Sequence, residues 1–304
     1  MKYDLGQGLV ELKKELASKK LLIFVGSGVS VAPPSGLPTW DGLMNKFIEF
    51  CEDIQTQISP SDRFDKLLND ARDNKGKYPL RVATVLKDKL TALEKKGYRN
   101  ISSRFSSEFQ RIFYAGQPND NHRLIVKTNY PYILTTNYDT LLEDAAREEN
   151  LYELWSNTYT FEKAEYLASR IYEEKSAIVH LHGDVLSIAL ENFVFTADDY
   201  QKIKRRHPGF TLAIQTLFLR YCILFIGYGG SDPHWEDFVE DLSFAFNWAP
   251  YPEFPLRYFM VLKDDKAGEV LEKYKNKVRT EIIGLNDFSE TTDLLSELQK
   301  FAPR

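Results

Sequence analysis

The 304 residues are enough for one large α/β domain or two smaller ones, and 43% hydrophobic with 27% charged residues is a balance that fills a globular core. A net charge of −5 leaves no basic surplus to hold nucleic acid as the main ligand. The local run Lys202, Lys204, Arg205, Arg206 and His207 reads as a solvated helix end.

The amino-terminal stretch MKYDLGQGLVELKKELASKK spaces Leu9, Leu12 and Leu16 for an amphipathic helix over about 8–18. It lacks the apolar core and cleavage site of a signal peptide. LLIFVG (21–26) is an apolar run closed by glycine, the pattern of a buried parallel strand. SGVSVAPPSGLPTW (27–40) is dense in Gly, Pro and Ser, so it is expected to be a loop acting as a mobile lid. Residues 41–125 read as helical. In GLMNKFIEFCEDI, Leu43, Phe47, Phe50 and Ile54 share one helix face, and FDKLLNDA, PLRVATVLKDKL and SEFQRIFY continue the period. This stretch is expected to be a helical insertion between two strands.

YPYILTTN (130–137) is the next strand, with a helix from Thr140. SAIVHLHG (176–183) is another strand. FVFTADDYQKI reads as a short strand, then a helix capped near Thr196 or Asp198. CILFIG is a strand that buries Cys222, and HWEDFVEDLSFAF is a helix. LRYFMVL (256–262) and VRTEIIG (278–284) supply two more strands, and 290–301 closes the chain as a helix. Alternating strands and helices imply parallel βαβ units. No stretch is long and apolar enough to cross a bilayer. Two cysteines, Cys51 and Cys222, suit a reducing cytoplasm and cannot form a four-cysteine zinc site. One domain over 1–304, with an insertion at 41–125, is the simplest account.

Four stretches carry chemistry, each at a strand end: FVGSGVS, TTNYD, HLHGD and FIGYGGSDP. In a parallel sheet such ends converge on one ligand crevice. Gly26, Ser27 and Gly28 form a glycine turn that lets backbone N–H groups approach a pyrophosphate, or simply a tight turn. In TTNYD, strand alternation would put Thr135, Asn137 and Asp139 on one face. Asn137 can hold a water or sugar hydroxyl, and Asp139 can accept from an amide; both residues equally suit a helix cap. His182, beside Gly183, suits a general base near neutral pH, whereas His180 lies deeper and reads as a core histidine. A metal site on the two histidines lacks a third ligand at a convincing spacing. Gly227 and Gly229 permit close backbone approach, with Ser231 or Asp232 to bond hydroxyls, or they form the turn before the next helix.

Taken in order, GSGVS, TTNYD, LHGD and GYGGSDP resemble the motifs of the sirtuin superfamily, and look most like its bacterial NADase branch of anti-phage defence. VFTADDY (194–200) resembles a stretch of that branch too. The likeness runs over about 21–233. It implies a Rossmann-like α/β parallel sheet with helices on both faces. It implies that Gly26, Ser27, Gly28 and Ser30 meet the pyrophosphate of NAD+, with Thr136 in the same cofactor-binding set. By the same likeness Asn137 stands near the nicotinamide ribose, Asp139 contacts the carboxamide and His182 is the active-site histidine. Gly227, Gly229, Ser231 and Asp232 fall near the adenosine portion.

The departures define what remains. Sirtuin deacetylases carry a four-cysteine zinc module before the last glycine motif, but no cysteine stands between Asp184 and Tyr221. Ser27 takes the place of the usual alanine. Pro38, Thr39, Trp40 and Asp41 replace a Pro-Asp-Phe-Arg segment. The expected function is therefore NAD+ glycohydrolysis to nicotinamide and ADP-ribose without zinc, depleting NAD+ in defence. The alternatives are a non-catalytic NAD+ or ADP-ribose sensor, and a deacylase or ADP-ribosyltransferase. Control by homo-oligomerisation or by a separately encoded phage-sensing partner is expected, as is a cytoplasmic, membrane-free location.

Overall fold

Apolar runs without polar alternation demand burial on both faces, and the central strands obey this. The computed structural model describes residues 2–229, 236, 238–241, 244, 258–263, 280–287 and 289–302. Among them are strands β1 (Lys2–Tyr3), β2 (Leu21–Val25), β3 (Tyr132–Thr135), β4 (Thr158–Tyr159), β5 (Ala177–His180), β6 (Cys222–Ile226), β7 (Tyr258–Lys263) and β8 (Thr280–Leu285). They form one sheet in the order β1-β8-β7-β6-β2-β3-β5-β4, every pair parallel. Every residue of β2, β3, β5 and β6 is buried.

The helices are α1 (Leu5–Ala17), α2 (Trp40–Thr56), α3 (Asp65–Asn74), α4 (Pro79–Lys95), α5 (Ile101–Tyr114), α6 (Asp120–Lys127), α7 (Leu141–Glu148), α8 (Tyr152–Ser156), α9 (Ala164–Tyr172), α10 (Ala197–Arg206), α11 (Pro208–Arg220) and α12 (Glu290–Phe301). Helices α1, α6, α7 and α12 bury leucines, isoleucines and alanines against Leu21, Ile23 and Val25 on one face of β2. Helices α9, α10 and α11 cover Leu22 and Phe24 on the other. The fold is thus a Rossmann-like α/β sheet with helices on both faces.

Helices α2 to α5 build a core of their own. Leu43, Phe47, Phe50 and Ile54 of α2 are all buried in it, as their spacing predicts. Ile101, Phe105, Phe109 and Phe113, one per turn of α5, face them. Phe193 and Phe195, from the segment after β5, complete the cluster. Helix α6 belongs instead to the sheet's own layer.

Several local expectations change. Residues 193–195 form no strand; their polar groups bond to Lys87, Tyr138 and Asp199 rather than to a ladder. Pro208 splits the expected single helix into α10 and α11, since it sits at the first turn of the second. Strands β1 and β4, two residues each, are too short to show a period. The proline-rich loop is tethered rather than free. Asn119 Nδ2 donates to Val29 O (2.7 Å), Ser35 Oγ to Gln117 O (2.7 Å), and Leu37 N to Ser30 O (2.9 Å).

Strand order sets the site. From β2 the chain moves to β3 and on to β4 and β5, then returns to β6 on the other side of β2 and continues outward. The turns after β2 and β6 therefore part at a topological switch point. Val25 pairs with both Ile226 and Thr135, and Thr135 pairs with His180, so all four chemical segments leave the sheet at one level.

The two glycine turns at this point touch through their backbones. A Cβ on Gly26 would lie 2.5 Å from Gly227 O, and one on Gly227 2.5 Å from Val29 N. Gly227 also has φ +64°, which disfavours any side chain. Gly227→Ala should therefore lower stability by about 2–4 kcal/mol through overpacking and strain. Gly229→Ala, with nothing among the described residues within 4 Å of its Cβ, should leave it unchanged. Thermal unfolding of the two variants side by side checks this; equal melting temperatures would contradict the contact.

Candidate active site

The turn after β2 is a short 3-10 helix, Ser27–Ser30, entered through Gly26. Gly26 N donates to Ile226 O (2.9 Å) and Gly28 N to Gly227 O (2.9 Å). These two amides already join the turns, so they are not the free pyrophosphate donors expected from the motif. The glycines act by allowing close approach. At the rim, Gly28 and Gly229 are exposed, while Ser27, Thr136 and Gly227 are half-buried. Ser231 and Asp232 lie outside the described residues.

Strand β3 stops at Thr135, so Thr135, Asn137 and Asp139 do not line one extended face as alternation suggested. Thr135 Oγ1 donates to Val25 O (2.9 Å) and accepts from Asn137 N (3.0 Å), which turns the chain inward. Asn137 and Asp139 then meet on Ser30. Asn137 Nδ2 donates to Ser30 Oγ (3.2 Å) and to Gly26 O (3.3 Å), and Ser30 Oγ donates to Asp139 Oδ2 (3.0 Å). The Asp139 carboxylate also accepts from Leu141 N (3.2 Å), so it caps α7 as well as holding Ser30.

Sequence reasoning missed the other side of this hub. His122 Nε2 lies 3.2 Å from Ser30 Oγ. On its other side His122 Nδ1 faces Asn119, 2.8 Å from its Oδ1 and 3.2 Å from its backbone N, so the ring is held between Asn119 and Ser30. Asn119 and His122 also form the capping box of α6, a local role that leaves the tertiary one invisible in the sequence. Burial, with Arg123 nearby, lowers the His122 pKa to about 4, which keeps it neutral.

His182 leaves β5 beside its neighbours. Its ring stands 5.1 Å from Tyr200, edge-on, and 6.2 Å from Tyr138. Gly183, at φ +79°, turns the chain directly after it, and Asp184 caps the following turn through Leu186 N and Ser187 N, both at 3.0 Å. His180 is a satisfied core residue, as its depth suggested. Its Nδ1 donates to Asn137 O (2.9 Å) and its Nε2 pairs with Glu143 Oε1 of α7 (2.7 Å). Glu143 is the second residue that sequence reasoning missed.

The electrostatics separate the two histidines. Burial alone would lower His180, but the Glu143 carboxylate and the Asn137 carbonyl outweigh it and raise the pKa to about 9. Burial, aided by the charged His180, pushes His182 down to about 3. A fixed imidazolium–carboxylate pair therefore orients the Asn137 backbone, and a neutral imidazole faces the site. Asn137, Asp139 and His182 are only 6%, 5% and 4% exposed. Asn137 Oδ1 is buried without a hydrogen-bond partner among the described residues. Such an orphan costs about 1–3 kcal/mol unless a water or ligand hydroxyl satisfies it.

No group of three or more His, Cys, Asp and Glu able to hold a metal occurs among the described residues. The thiols do not suit a zinc module either. Cys51 is buried in the helical core and Cys222 in β6 against the sheet's other layer.

Asp139 yields a test. Burial raises its carboxyl to about 6, against the pull of Leu141 N–H and Ser30. The folded value lies above the ordinary one near 4, so the group costs stability above pH 6 and nothing below about pH 4. Asp139→Asn should raise stability at pH 7.5 by on the order of 2–3 kcal/mol, with the gain fading as pH falls through 6 toward 4. Denaturation across that range measures it; a pH-independent difference would contradict the assignment.

Comparison with known proteins places the chain in a family. A family model described as a SIR2-like domain matches residues 131–283. NAD(+) hydrolase ThsA of Bacillus cereus (strain MSX-D12) is 21% identical over 304 residues, covering 95% of this chain and 56% of that protein. NAD(+) hydrolase ThsA of Enterococcus faecium is 24% identical over 60% of the chain and 40% of its own length. Defense-associated sirtuin 2 of Bacillus subtilis is 27% identical over 80% of the chain and 21% of its own length. The chain thus spans about half, or less, of the relatives it matches. The matched region contains the Asn137, Asp139 and His182 segments together with the second glycine turn, and on that match the chain belongs to the SIR2-like domain family.

Proposed function

We propose that this chain is a NAD+ glycohydrolase domain that breaks the nicotinamide–ribose bond and releases nicotinamide and ADP-ribose. The observation that carries the reading is the buried Asn137 Oδ1, without a hydrogen-bond partner among the described residues, on a residue whose Nδ2 donates to Ser30 and Gly26 and whose backbone carbonyl accepts from His180. The names of the relatives, NAD(+) hydrolases and a defense-associated sirtuin, support the same chemistry.

In the proposed reaction the C1′–N bond of the nicotinamide ribose breaks and its electron pair leaves with nicotinamide, which departs neutral. No general acid is needed. Water adds to C1′ and its proton passes to a base. Asn137 Oδ1 accepts from the attacking water or a ribose hydroxyl. His182, neutral at working pH, accepts a hydrogen bond from the same water and orients it, and because its pKa is lowered to about 3 the proton passes on to solvent. Asp139 anchors the carboxamide while Ser30 holds the carboxylate in place. The glycine turns let the dinucleotide backbone lie close to the sheet, with Ser27, Ser30, Thr136 and Gly229 in its binding set. Burial of the three polar groups excludes bulk water and fixes orientation.

Depletion of NAD+ in anti-phage defence is the physiological role this reading favours. Such an activity needs restraint, and oligomerisation or a separately encoded sensor protein would supply it.

Chromatography of NAD+ incubated with pure protein, without any peptide, tests the proposal. Nicotinamide and ADP-ribose should appear, and Asn137→Ala and His182→Ala should each slow release by about 10²-fold or more. Undiminished turnover in both variants would remove the mechanism. Tight NAD+ binding with no product over long incubation would instead favour a sensor module.

A further inference from the structure

The VFTADDY segment has no role in the reaction described above, yet it is tied to the site at several points. Phe193 O accepts from Lys87 Nζ of α4 at 2.7 Å, and Val194 O accepts from the Tyr138 hydroxyl at 2.5 Å. Tyr138 stands between Asn137 and Asp139. Asp199 Oδ2 gathers Phe195 N (3.2 Å), Thr196 N (3.0 Å) and Thr196 Oγ1 (2.7 Å), and accepts from Lys87 Nζ at 2.9 Å. Both members of this ion pair are buried, with side-chain exposures of 7% and 4%. The next residue, Tyr200, presents its ring to His182 at 5.1 Å. The ring of Phe193, at the other end of the segment, packs on Tyr138 at 4.8 Å.

We propose that Lys87 is a positioning residue: through Asp199 and Phe193 it clamps the 193–200 segment, and so fixes the two tyrosine rings that hold His182. This gives the helical insertion a direct mechanical line to the reacting histidine. The inference rests on the reading that His182 works on NAD+. A buried ion pair is weak evidence for stability, because desolvation opposes its Coulomb gain. Here both partners also satisfy backbone groups of one segment, and that segment touches His182. A pair of purely structural use has no reason to converge on this ring. Asp199 also accepts from Lys202 Nζ on its other oxygen at 3.2 Å, but the Lys202 side chain is half exposed and reaches no backbone of the segment, and the α10 pair of Lys204 with Asp241 is exposed.

The test uses Lys87→Met and Asp199→Asn, with Lys204→Met as control and Lys87→Gln standing in should Lys87→Met not fold. Two readouts are taken well below each melting temperature. The first is the NMR signal of the His182 ring, identified by its loss in His182→Ala, which depends on the flanking rings and needs no substrate. The second is steady-state NAD+ hydrolysis. Both clamp variants should move the His182 signal and lower kcat by about 10-fold or more, as a misplaced group does. KM should stay within about 2-fold, because the glycine turns are not touched. The control should match wild type in both. Folded clamp variants with an unmoved His182 signal, or with kcat unchanged, would overturn the proposal. A moved signal in a protein whose wild type does not cleave NAD+ would support the clamp and overturn the hydrolase reading.

Discussion

Two backbones touch where β2 and β6 end, and the site depends on that contact. Gly26 and Gly28 donate to the carbonyls of Ile226 and Gly227, and no side chain fits between them. This closeness places Ser30 one short turn beyond the sheet. Ser30 then gathers on a single hydroxyl His122 from a helix start and Asn137 and Asp139 from beyond a strand end, 92, 107 and 109 residues further along the chain. Glycine at these positions is first a packing requirement, and only through it a ligand-binding one.

The polar core divides into a rigid part and a reactive part. His180 is bonded through both ring nitrogens, to Glu143 and to the Asn137 carbonyl, and His122 is held by the Asn119 cap, so these groups hold orientation. Asn137 Oδ1 and the raised Asp139 carboxyl are left at a free-energy cost. Such a cost persists in a folded protein when the rest of the structure over-determines the geometry, and it is on these groups that the proposed NAD+ contacts fall. A charged His180 two residues from a neutral His182 follows the same division: burial lowers the His182 pKa, and the charge on His180 adds to that.

Much of this was legible in the sequence because parallel strands buried on both faces are short apolar runs, and their ends are easy to see. LLIFV, YILT, AIVH and CILFI are all strands, and the motifs that follow them meet at one level of the sheet. What stayed hidden depends on tertiary contact. The Asn119 and His122 pair explains itself locally as a helix cap, so nothing pointed to Ser30. Lys87 and Asp199 lie in stretches whose helical spacing gives no sign that the two charges are buried together. FVF looked like a strand by composition, but side chains rather than a neighbouring strand satisfy its backbone. The glycine amides looked free for phosphate because the sequence does not show that the two turns face each other.

The central claim is that Asn137 Oδ1 is the anchoring point for the nicotinamide end of NAD+. The most direct measurement is a crystal structure of a turnover-dead His182→Ala protein with uncleaved NAD+. The account predicts a ribose hydroxyl or an ordered water within hydrogen-bond distance of Asn137 Oδ1, the carboxamide at Asp139 and the pyrophosphate along the two glycine turns. NAD+ bound elsewhere, with Asn137 Oδ1 still unpartnered, would contradict it.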